Sequence, residues 1–286
     1  MRPVDPVDVP SRLDLEAVFR ARLPAVAGQL IATLEPAIRF RAAPNADASA
    51  LGSRFGGQPY LPQRRAWPSW EHPTEGRRPL WFFAQIDLAE AQAVAPASLR
   101  LPTDGLLSFF ADLDDELNGV VGLYSWEQPG STIVHSRPDA DLRVLDGPSH
   151  GRGIRLLPLP AWTWQRDGID FSNEEFDVLD EVVGWYEKAL QGIMVEGYHH
   201  GGRHQLGGHE NYIQHPAASE VVQALAGCYE GDGSGHFDYE RWQTAQPQIA
   251  EWRLALQIDS DEELNVMWGD VGTLFWMMRR ADIESA

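Results

Sequence analysis

Histidines form the densest group of chemically competent side chains in this sequence. Five of the nine histidines lie between positions 199 and 215, in a segment that also holds a Gly-Gly pair at Gly207-Gly208. Neutral imidazoles are common ligands for zinc and other transition metals. However, the segment has no cysteine and no His-Glu-x-x-His pattern, and its glycines indicate loops rather than elements that hold ligands in place. We therefore expect surface histidines and no cofactor; the candidates for a metal site are His199, His200, His204 and His209.

Three aspartates are the candidates for acid/base chemistry, together with His204. Asp87 and Asp259 each end a Gln-Ile-Asp run, and Asp270 follows a Trp-Gly pair. Equivalent carboxylates in two related units can face one another as an acid/base pair. The alternative is that each aspartate caps the turn or helix after it through backbone N–H groups, and the residues that follow Asp87 and Asp259 favour this interpretation.

Two Gly-Gly pairs and several tryptophans are the candidates for binding. Neither glycine pair has a phosphate-binding pattern, so turns with positive φ are the simpler explanation. Trp67 and Trp70 either cover the core, which we favour, or line an exposed surface. The residues that a ligand surface would use are Gly56, Gly57, Trp67, Trp70, Gln85, Gly207, Gly208, Gln214, Gln257 and Trp268.

Three short patterns occur twice, in the same order along the chain. They are a Gly-Gly turn (54–63 and 205–214), a strand ending Gln-Ile-Asp (80–87 and 252–259), and a glycine before an aromatic strand (105–110 and 272–276). One such echo can be accidental, but three in order predict an internal duplication. The second copy is longer between its first two patterns, which leaves room for extra helices near 217–226 and 239–249.

The remaining elements follow from periodicity and caps. Ser11 or Asp14 is expected to cap a helix that ends near Arg22, and Pro24 suits the first turn of a second helix through residue 34. The apolar face of the first helix is predicted to contain Leu13, Leu15, Val18 and Phe19. A strand is expected over residues 38–41.

Short β-branched or aromatic runs predict strands in 120–126, 131–135 and 142–145, followed by an extended segment over 152–164. A helix should begin at Ser172 or Asn173. The sequence thus predicts an α+β fold: a β-rich duplication of two diverged antiparallel units, with N-terminal helices and inserted helices. We expect a leader with helices over 1–45, the first repeat over 46–170, and a helix with the second repeat over 171–286, packed as one globular body.

These patterns resemble the YwqG-like family, a widespread bacterial family of unknown function. The matching stretches are Phe-Gly-Gly-Gln-Pro-Tyr-Leu-Pro, Phe-Phe-Ala-Gln-Ile-Asp-Leu, Leu-Pro-Thr-Asp-Gly-Leu-Leu-Ser-Phe-Phe, His204 to Gly208 with Gln214, and Leu256-Gln-Ile-Asp-Ser with Met267 to Asp270. The resemblance covers residues 50–283 and implies the fold but no established reaction. Because some members occur beside secreted-toxin systems, it also suggests an immunity-type role. The chain departs from the pattern at His209, where an aromatic residue is expected.

Composition narrows the partners. The formal net charge of −19 argues against binding nucleic acid or an anionic membrane, and favours a basic protein or a small cation. One cysteine fits a reducing compartment, and the N-terminus lacks the pattern of a secretory signal, so we expect a cytoplasmic protein.

The preferred hypothesis is a non-enzymatic binding protein that recognises a protein partner or a small ligand. The first alternative is a hydrolase-like, metal-assisted enzyme that uses Asp87, Asp259, Asp270 and His204. The second alternative is an immunity-type protein that neutralises a basic toxin.

Overall fold

The computed structural model describes residues 9–43, 51–72, 75–95, 99, 102, 104–112, 124–125, 130–137, 141–191, 203–213, 215–228, 237–268 and 271–285. The fold is α+β, as predicted. The helices are α1 (Arg12–Arg22), α2 (Ala27–Ala32), α3 (Leu88–Val94), α4 (Asn173–Gln191), α5 (Ala217–Leu225), α6 (Tyr239–Ala245) with a 3₁₀ helix (Gln246–Glu251), and α7 (Arg280–Ser285). The strands are β1 (Glu35–Ala43), β2 (Arg54–Phe55), β3 (Tyr60–Pro62), β4 (Ser69–His72), β5 (Gly76–Pro79), β6 (Trp81–Asp87), β7 (Leu106–Ala111), β8 (Tyr124–Ser125), β9 (Ser131–Ser136), β10 (Leu142–Val144), β11 (Ile154–Thr163), β12 (His204–Leu206), β13 (Trp252–Asp259) and β14 (Thr273–Arg279).

One large sheet organises the molecule. Its strand order is β8-β14-β13-β12-β1-β11-β2-β6-β7-β9, and two small hairpin-like sheets, β10-β3 and β4-β5, lie beside it. Neighbouring strands of the large sheet are antiparallel except β14 and β8, which are parallel. Between β14 and β7 the order is symmetric about the central β1–β11 pair. Strands β12, β13 and β14 lie outwards from β1 as β2, β6 and β7 lie outwards from β11.

The repeated patterns occupy equivalent places in this sheet. Each Gly-Gly turn follows a short strand, β2 or β12, and each of these strands pairs with its Gln-Ile-Asp strand, β6 or β13. The next strand pair is interrupted by a bulge at the same position, between Phe82 and Ala84 in one copy and between Leu254 and Leu256 in the other. Matching bulges are evidence of a shared fold because a bulge is a designed irregularity that persists within families.

Here each copy is counted from the long strand that precedes its short strand and Gly-Gly turn, so β1 is grouped with the first copy and β11 with the second, although β11 lies within residues 46–170. Counted in this way, the two copies exchange strands at the centre. Strand β1, which comes before the first Gly-Gly turn, pairs with β12 of the second copy, and β11 pairs with β2 of the first. The β1–β11 ladder is continuous from Glu35, paired with Thr163, to Ala43, paired with Arg155. Strand β1 is longer than the sequence predicted, because residues 35–37 and 42–43 continue the pairing with β11.

A single hydrophobic core lies on one face of the sheet and contains residues from both copies. Phe83 and Phe109 of the first copy contact Trp276 of the second, with ring centroids 5.3 and 5.8 Å apart. Phe82 points to the opposite face, where it packs beside Phe110. This division follows from the alternation of side chains along a strand.

Helices cover part of the opposite face of the sheet. Leu15 and Phe19 of α1 and Leu179 of α4 are fully buried there. Of the two predicted caps of helix α1, Ser11 is the N-cap residue, and Asp14 completes a capping box with it. The prediction that Leu13 belongs to the buried face is wrong, since it is 74% exposed.

Helix α2 begins later than predicted, at Ala27 instead of Pro24. Residues 24–26 form a turn instead, closed by a hydrogen bond of 2.8 Å from the Ala27 N–H to the Leu23 carbonyl. The predicted starts of α4, α5 and α6 are confirmed within a residue or two. Within the described ranges, no helix combines the length and apolar character needed to cross a membrane.

Candidate functional site

A cleft of about 1070 Å³ opens beside the second Gly-Gly turn. Its walls come from the start of β1 (residues 32–35), the segment after β11 (164–171), the segment after Gly207 (208–212), and the junction of the 3₁₀ helix with β13 (249–254). Phe176, in the first turn of α4, lies at its edge. We call this cavity the acidic cleft, for the side chains described next.

Carboxylates outnumber cations in the acidic cleft. Two arginines, Arg166 and Arg253, face four carboxyl groups, on Glu35, Asp167, Asp170 and Glu210. Burial, with the nearby Asp167 and Glu220 charges, raises the pKa of Glu210, although hydrogen bonds from the Ala217 and Ala218 backbone oppose this shift. Glu210 is thus the carboxyl group of the cleft that burial disfavours in its charged form, whereas Asp167 and Asp170 are exposed.

Tyr212 binds one of these carboxyl groups, that of Asp167. Its hydroxyl donates a hydrogen bond of 2.5 Å to Asp167 Oδ2. Burial and this bond to a carboxylate raise the pKa of Tyr212 to about 12, so the phenol stays protonated at neutral pH and remains a donor. The contact joins the segment after the Gly-Gly turn to the segment after β11.

Aromatic rings form much of the remaining wall. Trp164 makes an edge contact with Phe19, at 5.3 Å between centroids, and a tilted contact with Tyr186, at 5.5 Å. Phe171 and Phe176 form a second, looser pair at 6.5 Å. Ring faces next to carboxylates attract organic cations, because the π-quadrupole and the negative charge act in the same direction.

The Gly-Gly turn holds the cleft residues in place. Gly207 and Gly208 have φ values of 69° and 70°, which residues with a Cβ adopt only with strain. Gln205 Nε2 donates to the carbonyls of Gly207 and His209, each at 2.8 Å. The buried Gln257 side chain accepts from the Asn211 N–H at 2.9 Å and donates to the Arg203 carbonyl at 3.2 Å. These bonds fix the backbone on both sides of Glu210.

The first copy has the same turn, but neither of the two cavities described in this section borders it. Gln85 accepts from the Tyr60 N–H at 2.9 Å and donates to the Gly52 carbonyl at 3.5 Å, which matches the bonds of Gln257 position for position. Leu61, which corresponds to Tyr212, is fully buried. Pro59 stands where the second copy has Glu210, and Gln58 is tied to Gly147 by two hydrogen bonds of 3.1 Å. The framework is shared, and only the second copy presents polar side chains to an open cavity.

A second, smaller cavity of about 70 Å³ adjoins the acidic cleft. We call it the arginine cavity, because Arg39, Arg203 and Arg166 line it together with Glu187 and Tyr186. Arg39 Nη2 lies 2.9 Å from Glu187 Oε2, and Arg203 Nε lies 3.3 Å from Glu187 Oε1. The two cavities share the lining residues Trp164, Arg166, His209, Glu210 and Asn211.

Of the histidines named from the sequence, His209 alone lines the acidic cleft. Its Nε2 lies 2.7 Å from the Thr33 carbonyl and 3.8 Å from Glu35. His204 lies on β12 beneath the surface, with Nε2 3.0 Å from Asp261, and lines neither cavity. His199 and His200 lie outside the described residues. In the part of the chain that is described, no three His, Cys, Asp or Glu side chains are grouped so that they could hold a metal ion.

Two of the aspartates named from the sequence, Asp87 and Asp259, lie apart from both cavities. Asp87 caps α3 by accepting from the Ala89 and Glu90 N–H groups, as the capping interpretation predicts. Asp259 differs: it accepts from the Arg203 N–H, Gln257 Nε2 and the Thr273 hydroxyl, so it fastens β12 and β14 to β13 instead of capping the next turn. Asp270 is not among the described residues.

The other binding candidates have structural positions. Trp67 and Trp70 are half-buried over the cluster that contains Phe82, and they donate to the Leu80 carbonyl at 2.7 Å and to Asp112 at 2.8 Å. Trp268 is 8% exposed and packs against Phe83 at the interface of the copies. Gly56 and Gly57 form the closed first turn, with φ values of 64° and 71°. Gln214 lies outside the described residues.

Sequence reasoning missed the residues that give the cleft its charge. Glu210, Tyr212 and Asp167 carry no motif, and Asp167 is far from the other two along the chain. One signal was available: aligning the two Gly-Gly turns places Glu210 against Pro59 and Tyr212 against Leu61. Polar residues in one copy against apolar ones in the other indicate a place where only one copy faces solvent or a ligand.

Fold and site together define an α+β protein with an internally duplicated sheet and one open cleft at the second Gly-Gly turn. Residues 53–286 match the family described as Domain of unknown function (DUF1963), and the chain belongs to this family. The match carries no reaction, ligand or partner. No curated protein matches the chain.

Proposed function

We propose that this chain is a non-enzymatic binding protein whose acidic cleft takes a positively charged group of a protein partner or small ligand. The observation that supports the proposal is the difference between the copies. In each copy a buried glutamine, Gln85 or Gln257, holds the Gly-Gly turn by equivalent hydrogen bonds to the backbone. The turn of the first copy is closed and apolar, whereas the turn of the second copy is open and acidic, with Glu210 and Tyr212.

The chemistry of the cleft favours a cation. Carboxylates that are partly removed from water gain most from a partner of opposite charge, because a buried charge without a partner is unfavourable. The Trp164 ring offers a face to the same group. An arginine or lysine side chain fits both features, since each has an apolar stem and a charged head.

The whole-molecule charge supports the same class of partner. A net charge of −19 attracts basic proteins at long range and repels nucleic acid and anionic membranes. A basic toxin, as an immunity-type role requires, belongs to this class of partner. The single cysteine supports a cytoplasmic location.

The test is calorimetric titration with a hexapeptide of alternating Arg and Gly, and with the same peptide carrying citrulline in place of arginine. We expect the arginine peptide to bind and the citrulline peptide to bind at least about tenfold more weakly, the loss of one charge-assisted contact. Glu210→Gln or Asp167→Asn should weaken binding by a similar factor. Glu71→Gln removes the same charge from the β4–β5 hairpin and should leave the affinity unchanged. Equal binding of the two peptides contradicts the proposal.

A second candidate function is an acid/base hydrolase at the same cleft. Glu210 supports it: a carboxyl group with a raised pKa beside the Asp167 carboxylate is a common arrangement of a general acid and its partner. This hydrolase would use Glu210 and Asp167. The hydrolase predicted from the sequence would use Asp87, Asp259, Asp270 and His204. Turnover of activated esters or glycosides that disappears in Glu210→Gln and persists in Glu71→Gln would favour it over the binding proposal.

A further inference from the structure

We infer that the acidic cleft and the arginine cavity form one composite site for a ligand that carries a carboxylate as well as a cationic group, such as a free basic amino acid or the C-terminal Arg or Lys of a peptide. The carboxylate would enter the arginine cavity and the cation the acidic cleft. The inference rests on the proposed function and adds the class of ligand.

The first support is the charge around the smaller cavity. Arg39 and Arg203 both contact one carboxylate, Glu187, and the side chains of Arg39 and Glu187 are each 7% exposed. Burial lowers the pKa of Arg203, and the like charge of Arg39 lowers it further. The charges of Glu187 and Asp259 oppose this shift. Asp259 lines neither cavity and is engaged by three hydrogen bonds of its own. The lining therefore carries three arginines against two carboxyl groups, those of Glu187 and Glu210.

The second support is the geometry of the donors. Within the described residues, Arg203 uses Nε towards Glu187 and Nη1 towards Asn211, which leaves Nη2 for a ligand. Arg39 uses Nη2 towards Glu187 and Nη1, at 3.5 Å, towards Gln205. Guanidinium groups bind carboxylates through parallel N–H donors, so a second carboxylate beside these two arginines would be held by charge-assisted hydrogen bonds.

The third support is size. The arginine cavity, at about 70 Å³, is far smaller than the acidic cleft, at about 1070 Å³. A cavity needs about 10–15 Å³ of such volume to hold one water molecule, so the arginine cavity has room for a small polar group such as a carboxylate. The acidic cleft has room for the rest of the ligand.

The fourth support is that the cavities meet. Glu210 and Asn211 line both, so the two cavities adjoin along the segment that follows the second Gly-Gly turn. Positive and negative regions thus follow one another along a continuous surface. A dipolar ligand matches this order, whereas a ligand with only a cation leaves the arginine cavity unfilled.

The experiment compares three ligands by calorimetry on the wild-type protein: L-arginine, L-argininamide, which lacks the carboxylate, and L-citrulline, which lacks the cation. We expect arginine to bind and each of the others to bind at least tenfold more weakly. Argininamide equal to arginine, with citrulline weak, overturns this inference and leaves the proposed function standing. Citrulline equal to arginine, with argininamide weak, overturns the proposed function instead. No binding of any of the three contradicts both.

A variant locates the carboxylate. Arg203→Gln should bind arginine no better than it binds argininamide, and Arg203→Lys should recover part of the difference. Arg143→Gln, an exposed arginine on β10, is the control for lost charge and should keep the full difference. If Arg203→Gln retains the preference for arginine, the carboxylate does not enter the arginine cavity. The dipeptide Gly-Arg then separates the two sources of ligand: tighter binding than arginine indicates a peptide C-terminus, and weaker binding indicates the free amino acid.

Discussion

At the scale of single residues, the protonation state of Glu210 controls the acidic cleft. Burial raises the pKa of this carboxyl group above its ordinary value of 4.5, and the Asp167 carboxylate adds to the shift. A cation binds the ionised form. Binding a cation therefore requires Glu210 to lose its proton first when the pH is below the raised pKa.

The affinity for a cationic ligand should accordingly rise with pH as the medium passes through the raised pKa of Glu210, and level off above it. In Glu210→Gln this rise should be largely absent. Glu263 also has a pKa raised by burial but lines neither cavity, so Glu263→Gln is a matched control and should keep the wild-type profile. Calorimetry between pH 4.5 and pH 8 measures all three. An unchanged profile in Glu210→Gln would show that another group controls binding.

The stability of the protein should depend on pH in the opposite direction to its affinity for a cation. The pKa of Glu210 is higher in the folded state than in the unfolded state, so the native protein binds more protons at this group. The contribution of Glu210 to the free energy of unfolding therefore falls as the pH rises from 4.5 through the raised pKa. Glu210→Gln is therefore expected to increase the free energy of unfolding near neutral pH while it weakens binding. Such a trade-off is typical of residues kept for function.

At the scale of elements, the two buried glutamines clamp equivalent turns but support different surfaces. Gln85→Leu and Gln257→Leu each remove one acceptor and one donor from buried backbone groups. Each should lower the free energy of unfolding by about 1–3 kcal/mol. Only Gln257→Leu should also weaken cation binding, because Gln257 fixes Asn211 beside Glu210. Chemical denaturation and calorimetry on both variants test this; equal losses of affinity would mean that the clamp acts through stability alone.

Many of the helices and strands were predictable from the sequence. The capped start of α1, the strands before Asp87 and Asp259, and the extra helices α5 and α6 follow local patterns that the structure confirms. The late start of α2 was not, because the turn over 24–26 depends on where α1 ends.

The cleft itself could not be predicted from local patterns. Asp167 lies on the segment after β11 and Tyr212 after the second Gly-Gly turn, and they meet only because β11, β1 and β12 are neighbours in the sheet. The pairing of strands that are far apart in the sequence produces no periodic pattern of residues from which it could be predicted. The arginine cavity depends in the same way on Arg39, Glu187 and Arg203, which come from β1, α4 and the start of β12.

At the scale of the whole molecule, the exchange of β1 and β11 joins the copies. Each copy supplies a strand to the other half of the sheet, and the core beneath contains Phe83 and Phe109 against Trp276. We propose that the described chain folds as one cooperative body despite its duplication. Neither half can separate without leaving strand edges and core residues exposed.

Unfolding in denaturant should therefore show one transition. Far-UV circular dichroism and tryptophan fluorescence should give the same midpoint. Ile38→Ala, at a fully buried position of β1, should shift the whole transition with a loss of about 2–5 kcal/mol and should not split it. Two separated transitions, in either protein, would show that the copies are independent domains.

The central claim is that the acidic cleft beside the second Gly-Gly turn is the ligand site, and a crystal structure of the protein with bound L-arginine tests it most directly. We predict density for the guanidinium between Trp164 and Glu210, with the carboxylate directed towards Arg203. Density at the first Gly-Gly turn, or at a surface away from Glu210 and Tyr212, would contradict the account.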